Sequence, residues 1–150
     1  VPSVLVPLVD TENTYEEFHV YVKPTVHPHL SPFCTELTGI TQAQVNSGIS
    51  LVAALDKHTV WLRKYVPEEQ ACIFVTCGDY DLKRSIPEDP NINESRLPEC
   101  YRQWINIKKA FGAFYKIKQP RGMTEMLERL DLKLEGRHHS GIDDCRNIVK

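Results

Sequence analysis

The sequence feature that most constrains the fold is a short, uninterrupted apolar run at residues 71–76, Ala-Cys-Ile-Phe-Val-Thr. Such a run predicts a strand that is buried on both faces of a sheet. Gly78 ends the run, and Asp79 and Asp81 follow where a helical pattern begins. Because open α/β sheets bind ligands at the carboxyl ends of their strands, these carboxylates are candidate ligands. Capping of the following helix by Asp79 is an equally good interpretation.

Two apolar segments before this strand predict a β-hairpin. Residues 1–9 are rich in Val and Leu, and residues 17–23 alternate apolar with polar side chains. The polar stretch between them, residues 10–15, predicts the turn. Residues 24–39 contain three prolines and two histidines, which predicts an irregular surface loop.

Helical patterns account for much of the remaining chain. Apolar residues recur at helical spacing from Leu51, with Ser50 in the N-cap position, and this helix should end before Pro67. The three prolines of residues 86–98 predict a loop. Further helices are predicted at residues 101–111, at residues 124–130 with Thr124 as the cap, and at residues 142–150. This order predicts an α/β domain with one mixed sheet covered by helices.

The charge of the chain limits its partners. The formal net charge is −2, so no overall basic field attracts a polyanion, which argues against a protein that coats nucleic acid. An enzyme with one local groove is compatible with this charge. The basic residues are densest from Arg96 to Arg121, where seven of them accompany a single acidic residue, Glu99.

Length and cysteine content indicate a single intracellular domain. The 150 residues are enough for one domain with a sizeable core. The five cysteines are an odd number without a Cys-x-x-Cys pair, so neither a disulfide framework nor a structural zinc site is predicted. A reducing compartment, cytoplasmic or nuclear, is expected instead. No run approaches 18 apolar residues, so no membrane span is expected, and the expected state is a monomer.

Titratable residues cluster near the carboxyl end, where residues 136–147 read GRHHSGIDDCRN. On a helix, Asp143 and Asp144 diverge by about 100°, so only one of them is expected to be central. His139 and Asp144, in contrast, can project into one site. A carboxylate that holds a divalent cation beside a histidine that accepts a proton is an arrangement for metal-assisted hydrolysis. The alternative is a solvated helix N-terminus, where Asp suits the macrodipole.

Four longer blocks carry a family resemblance. In chain order they read HVYVKPTVHPHLSPFCTELTGITQAQV, IFVTCGDYDL, QWINIKKAFGAFY and GRHHSGIDDCRNI. They resemble the Eri-type 3′→5′ exoribonucleases of the DEDDh exonuclease superfamily, and the resemblance covers essentially all of residues 1–150. It implies an RNase H-like fold, a mixed β-sheet flanked by helices. It also implies removal of nucleotides from RNA 3′ ends with two Mg²⁺ or Mn²⁺ ions and a histidine general base.

Carried over residue by residue, the resemblance implies roles for three residues. Asp81 and Asp144 are the implied metal ligands, and His139 is the implied general base. His138 stands where the family usually has proline and should be exposed. Asp143 precedes the ligand and should point elsewhere.

The family's first motif, a strand that ends in Asp-x-Glu, is missing from residues 1–150. Asp10 and Glu12 have the letters of this motif, but their position marks them as part of the hairpin turn. The chain is therefore expected to be a single exonuclease domain, truncated at both ends and without its first strand. Asp81 and Asp144 alone would hold two cations loosely. A catalytically inactive RNA-binding or interaction module of the same fold is the alternative.

The resemblance also implies RNA-binding residues. Phe33, Leu37, Thr38 and Gly39 lie in the block that resembles the pocket for the last nucleotide of RNA. Apolar groups there would stack on a base while hydroxyl and backbone groups meet the ribose 2′-OH. A packed loop is the alternative interpretation of Phe33.

The basic window adds predicted RNA contacts on a helix. Asn106 and Lys108 are the predicted RNA-binding residues, and Lys108 and Lys109 are the candidate phosphate contacts. Trp104 lies on the same predicted helix and is interpreted as a core residue rather than a stacking platform.

Overall fold

A computed structural model of the chain describes residues 3–6, 15–66, 72–93, 95 and 97–150. The chain divides into two compact units: unit 1 is Val1–Glu68 with Glu135–Lys150, and unit 2 is Glu69–Leu134. Within the described ranges, no helix is long and apolar enough to cross a membrane. None of the five cysteines, all of which are described, forms a disulfide.

Unit 1 contains an antiparallel pair of strands, β1 (Ser3–Val6) and β2 (Glu16–His19). Their pairing confirms the two strands of the predicted hairpin, whereas residues 10–14 of the predicted turn lie outside the described residues. β2 ends earlier than the alternating pattern suggested. Val22, later in that pattern, instead forms an isolated parallel bridge with Ile49.

The irregular loop predicted for residues 24–39 is wrong in its second half, which forms α1 (Pro32–Thr38). The Ser31 hydroxyl accepts a hydrogen bond from the Cys34 N–H at 3.1 Å, and Pro32 occupies the first helical position. Proline is well suited to that position, because its φ is already helical and its missing N–H is not needed. Pro32 therefore marks the start of a helix, although the prolines of this segment were interpreted as loop residues.

Two further helices follow in unit 1. The unpredicted α2 (Gln42–Asn46) begins with a capping box, in which Thr41 and Gln44 satisfy each other's backbone N–H groups. The predicted α3 (Leu51–Leu62) begins as expected after Ser50, whose hydroxyl accepts from the Ala53 N–H at 3.2 Å. Short capped helices such as α2 lack the apolar periodicity that revealed α3.

The last helix of unit 1, α6 (Gly141–Ile148), begins one residue before the predicted segment, ends two residues before its end, and packs against β1. Asn147 on α6 is buried and binds the Glu135 backbone twice, as an acceptor at 2.9 Å and as a donor at 2.7 Å. These bonds fix the start of the segment that leads into α6. The buried apolar residues of the unit are Val22, Val45, Ala54, Leu62 and Ile142.

Unit 2 contains a parallel pair of strands, β3 (Phe74–Thr76) and β4 (Trp104–Asn106). β3 lies in the predicted apolar run, but the prediction that it is buried on both faces is wrong. Val75 is 42% exposed, and its partner across the ladder, Ile105, is 41% exposed. An apolar run reports hydrophobicity, whereas covering of each face depends on elements far away in sequence.

The helix predicted at residues 101–111 starts later than expected. A 3₁₀ turn at Glu99–Tyr101 is followed by β4, and α4 (Ile107–Phe114) begins only after that strand. Asn106 caps α4, since its Oδ1 accepts from the Lys108 N–H at 3.1 Å. Trp104 therefore lies on a strand and not on a helix.

Two other helical segments of unit 2 match predicted positions. A π-helical turn, Asp81–Ser85, forms after β3, so that Asp81 is its first residue. α5 (Met123–Arg129) agrees with the predicted helix, but Gly122 and not Thr124 stands at its N-cap. The buried apolar residues of the unit are Leu82, Ile86, Leu97, Tyr101, Met123, Met126 and Leu127.

Strands and helices together confirm the predicted α/β class. In the part of the chain that is described, the strands form two separate two-stranded sheets, whereas one mixed sheet was predicted. Local patterns predicted β1, β2 and β3, whereas β4 lies where a helix was predicted. The pairing partner of each strand is a non-local property that no local pattern contains.

Candidate active site

The segment before α6 brings His139 and Asp144 together. Asp144 is half-buried on the first turn of α6, and its Oδ1 accepts a hydrogen bond from the His139 backbone N–H at 3.2 Å. Its own N–H donates to the Ser140 carbonyl at 2.8 Å. Burial raises the pKa of the Asp144 carboxyl above its usual range, against the smaller opposing effect of the His139 hydrogen bond. The structure thus places a desolvated carboxylate directly beside the candidate base.

His139 has an unusual backbone conformation. Its φ is +70°, in the left-handed region that non-glycine residues rarely adopt. The imidazole rings of His138 and His139 are stacked with centroids 3.9 Å apart, and both residues are exposed. The expected exposure of His138 is thereby confirmed. Left-handed residues of this kind concentrate at functional sites, where surrounding contacts hold them in place.

Asp143 is used by the protein itself. Its Oδ2 accepts from the Arg137 N–H at 3.1 Å, and its Oδ1 pairs with Arg146 at 3.0 Å. These interactions hold the pKa of Asp143 below its usual range. At Gly136, a Cβ would lie only 2.4 Å from the Asp143 Cγ, so this approach requires glycine. Asp143 and Asp144 thus have different hydrogen-bond partners: Arg137 and Arg146 bind Asp143, and the His139 N–H binds Asp144.

Two cavities of unit 1 meet at Arg137 and His139. The first, of about 430 Å³, is lined by Phe33, Glu36, Leu37, Arg137, His138 and His139. The second, of about 310 Å³, is lined by His19, Tyr21, Thr38, Gly39, Ile40, Arg137, His139, Ser140, Gly141 and Asp143. The structure therefore gathers all four predicted residues of the nucleotide pocket around the candidate base.

In unit 2, Asp81 is exposed at the start of the π-helical turn. No donor among the described residues contacts its carboxylate. Asp79 is the opposite case: its Oδ1 accepts from Trp104 Nε1 and from Asn106 Nδ2, each at 3.0 Å, and its Oδ2 pairs with Lys109 Nζ at 2.6 Å. These donors, Lys109 first, hold the pKa of Asp79 well below its usual range. Asp79 therefore has a structural role.

The same contacts change the interpretation of the basic window. Asn106 is only 8% exposed, and its side-chain amide binds Asp79 and caps α4. That amide is engaged inside unit 2, and the RNA contact of Asn106 stays a prediction. Lys109 is paired with Asp79, and Lys108 Nζ donates to the Arg121 carbonyl at 3.3 Å.

A divalent cation requires carboxylate oxygens whose charge other groups do not already compensate. Asp144 accepts one hydrogen bond within the described residues, and a cation would offset the desolvation that raises its pKa. Asp81 offers an exposed carboxylate. Both fit a hard cation as partial ligands, but nowhere in the described segments do three potential ligands come together. Asp10 and Glu12 lie outside those segments.

Arg137 was missed by the sequence analysis although it lines both cavities. It lies two residues before His139 and is one of eighteen Lys and Arg residues. The only signal was its position beside the histidine cluster, because no local pattern shows which arginine reaches a distant helix.

Comparisons with known proteins agree over almost the whole chain. Residues 5–150 match the family model RNase_T, described as "Exonuclease". "ERI1 exoribonuclease 3" of Mus musculus is 44% identical over 134 residues, which is 88% of this chain and 40% of that protein. "3'-5' exonuclease Snipper" of Drosophila melanogaster is 35% identical over 160 residues, 98% of this chain and 56% of that protein.

Solved structures show the same fold. The nuclease domain of 3'hExo, "a DEDDh family member, bound to rAMP", superposes with a TM-score of 0.81 at 34% identity, covering 89% of this chain and 68% of that one. A structure titled "3'-end specific recognition of histone mRNA stem-loop by 3'-exonuclease" gives 0.81 at 33%, covering 90% and 61%. The architecture is thus RNase H-like. This chain spans less than half the length of the mouse relative, 40% of it. The chain belongs to the exonuclease family, among its Eri-type DEDDh members.

Proposed function

We propose that this chain supplies the catalytic region of a metal-dependent 3′→5′ exoribonuclease that hydrolyses phosphodiester bonds at RNA 3′ ends. The observation that carries the proposal is the arrangement of unit 1, where His139 and the residues of the predicted nucleotide pocket line two cavities that share His139, and the Asp144 carboxylate accepts a hydrogen bond from the His139 N–H. Family membership adds the reaction class.

Phe33 and Leu37 hold the last base in this proposal. They lie on α1 with 67% and 37% of their surface exposed, and they line the same cavity as His139. Aromatic and aliphatic side chains stack on any base, so contact here selects the strand end rather than a sequence. In this proposal the backbone at Thr38 and Gly39, which line the adjoining cavity, meets the ribose. The 2′-OH is what separates RNA from DNA.

His139 accepts the proton of the attacking water in the proposed reaction, and Asp144 stands beside it. The hydrogen bond from the His139 N–H to Asp144 fixes the backbone of the base relative to that carboxylate. Family membership implies a divalent metal cofactor. Asp144 would be a ligand on unit 1, and the family pattern gives Asp81 as a ligand on unit 2, with Mg²⁺ or Mn²⁺ as the metal and two ions in the complete site. When bound, the metal supplies charge stabilisation and acidifies water.

The experiment is degradation of a 5′-labelled RNA by the full-length protein with Mg²⁺, with an EDTA lane, the His139→Ala variant and the matching DNA alongside. The expected result is a 3′→5′ ladder on RNA that disappears with EDTA and falls by roughly 10²-fold or more in His139→Ala. Retention of RNA should change little in that variant. Full turnover by His139→Ala would remove His139 from the base role, and an equal ladder on DNA would refute the preference for RNA.

The second candidate function is a catalytically inactive RNA-binding module. It is favoured by one observation: within the described residues, no three metal-ligating side chains come together. RNA retention by the full-length protein without any Mg²⁺- or Mn²⁺-dependent ladder would establish this function in place of the first.

A further inference from the structure

The helix that carries Phe33 and Leu37 has little holding it from its sides. α1 has seven residues and none of them is buried. Helices this short are marginal on their own, and packing of an apolar face usually stabilises them. The position of α1 therefore depends on the contacts at its two ends.

The carboxyl end of α1 is held by a residue about a hundred positions away. Arg137 Nη2 donates to the Glu36 carbonyl, and Arg137 Nε lies 3.5 Å from the Leu37 carbonyl. These carbonyls belong to the last turn of α1, where the backbone carbonyl groups find no hydrogen-bond donor within the helix. A guanidinium is a flat fork of donors, so it reaches two carbonyls at once, which an ammonium does not do in the same geometry.

Arg137 is itself anchored on the side of His139. Its backbone N–H donates to Asp143 Oδ2 at 3.1 Å. Asp143 also pairs with Arg146, which forms a two-point ion pair with Glu17 of β2, both contacts at 2.7 Å. Connected contacts thus run from β2 through α6 to Arg137, and from its guanidinium to α1.

The guanidinium also lies close against Gly39, just beyond the end of α1. A Cβ on Gly39 would lie 3.1 Å from Arg137 Nη1 and 3.2 Å from Arg137 Cδ, and the φ of Gly39 is +75°. Glycine at this position lets the arginine approach the helix end. Arg137 also lines both cavities together with His139.

The geometry assigns Arg137 as a positioning residue of the exonuclease site. Its guanidinium sets the place of α1, and therefore of Phe33 and Leu37, relative to His139. This assignment rests on the proposed function, because it needs a nucleotide on α1 and a base at His139. Misplacement of a reacting group by about 1 Å can slow a reaction about 10²-fold. Arg137 acts through α1 and needs no contact with the substrate.

The test is steady-state kinetics of the full-length protein on 5′-labelled RNA with Arg137→Met and Arg137→Lys, and with Arg129→Met as the matched control. Arg129 is an exposed arginine paired only locally with Glu125. We expect kcat to fall by about 10- to 100-fold in both Arg137 variants, with KM within about threefold, and Arg129→Met to match the wild type. Lysine should not rescue kcat, because it retains charge but not the two-carbonyl contact.

Hydrogen exchange provides a second readout that does not depend on activity. Amides of residues 33–40 should exchange faster in Arg137→Met and in Arg137→Lys than in the wild type, and at the wild-type rate in Arg129→Met. If Arg137→Met fails to fold, Arg137→Lys still tests the assignment, because wild-type kcat and unchanged exchange of these amides in that variant would overturn it.

Several results would overturn the assignment. Wild-type kcat in Arg137→Lys, or a raised KM with unchanged kcat that depends on salt, would make Arg137 a phosphate contact instead. Unchanged kcat and unchanged exchange in Arg137→Met would leave it without a role. Loss of turnover in His139→Ala alongside normal turnover in Arg137→Met would refute this assignment alone, whereas a wild-type protein without a ladder would refute the proposed function as well.

Discussion

Two pairs of nearby carboxylates, one in each unit, differ in how the protein treats their members. In unit 2, Asp79 is bound by three donors and Asp81 is exposed without a donor from the described residues. In unit 1, Asp143 is bound by Arg137 and Arg146, whereas Asp144 accepts one backbone hydrogen bond. In both pairs the first aspartate is engaged by several donors, whereas the second, the proposed metal ligand, has at most one among the described residues.

The surroundings lower the pKa of Asp79 and Asp143, whereas they raise the pKa of Asp144. Hydrogen bonds and ion pairs lower the pKa of Asp79 and of Asp143, so the charged form of each is already stabilised by the protein. Burial raises the pKa of Asp144, because the hydrogen bond from the His139 N–H offsets only part of the cost of desolvating its charged form. A carboxylate that still needs a counter-charge is the better cation ligand. The hydrogen-bond donors around a carboxylate, rather than its neighbours in sequence, thus distinguish a structural aspartate from a proposed metal ligand.

The largest expected effect comes from the pair in unit 1. Asp144→Asn should lower the rate of RNA degradation by roughly 10²- to 10⁴-fold, because it removes an anionic ligand beside the base. Asp143→Asn, the matched control, should lower it less than about tenfold and reduce the melting temperature instead. Single-turnover kinetics and thermal melts of both variants check this prediction. An equal loss of activity in the two variants would show that Asp143 and Asp144 do not differ in their role in catalysis.

Asp79 and Asp81 in unit 2 should show the same contrast, in which one variant loses activity and the other loses stability, but the effects should be smaller. Asp81→Asn should lower activity by roughly 10²-fold and leave the melting temperature unchanged. Asp79→Asn should lower the melting temperature, because it weakens the contacts to Trp104 and Lys109. Its stabilisation should be present above about pH 4 and lost at lower pH, since the folded pKa lies below the ordinary value of 3.8. A larger melting effect from Asp81→Asn would contradict this assignment.

The comparison extends to His58, a buried histidine whose pKa is lowered by burial. It is 2% exposed on α3, in ring contact with Phe18 and Trp61, and burial lowers its pKa from 6.5 to about 4. The unfolded chain therefore binds the proton first. Stability should be complete above about pH 6.5 and should fall by about 3 kcal/mol as the pH drops to about 4.

Denaturant unfolding between pH 7 and pH 4 measures this slope. His58→Leu should flatten it, whereas His27→Leu, a change at an exposed histidine, should leave it unchanged. The same slope in His58→Leu as in the wild type would show that another group causes the loss.

The smallest effect is expected at the ion pair that anchors Asp143. Arg146 and Glu17 are 45% and 37% exposed at their side chains, so Arg146→Met should cost about 1 kcal/mol or less. Thermal melts at low and high salt check this, because salt should reduce the difference from wild type. A loss of several kcal/mol would mean that the contacts from β2 to Arg137 are far more cooperative than separate surface pairs.

The sequence allowed prediction of elements with a long local signal. The strands β1 and β2, the helix α3 and the adjacency of His139 to Asp144 follow from periodicity and from helix geometry. The short helix α1 was missed because its start signals, Ser31 and Pro32, also read as loop residues. Caps of short helices carry as much information as hydrophobic periodicity, but over fewer residues.

The parts of the site that escaped prediction depend on distant partners. Asn106 was predicted to bind RNA, but β4 brings it against Asp79, 27 positions earlier. Arg137 reaches the end of α1 across about a hundred positions. Such contacts are set by tertiary packing, so residue type and local spacing cannot distinguish a surface contact from a structural one.

The most direct test of the account is calorimetric titration of Mn²⁺ into the full-length protein and four variants: Asp79→Asn, Asp81→Asn, Asp143→Asn and Asp144→Asn. We expect Asp81→Asn and Asp144→Asn each to weaken Mn²⁺ binding by about tenfold or more, because each variant removes a proposed metal ligand. Asp79→Asn and Asp143→Asn should change it by less than about threefold. Weaker binding in the Asp79 or Asp143 variant than in the Asp81 or Asp144 variant would contradict the division of roles between the carboxylates.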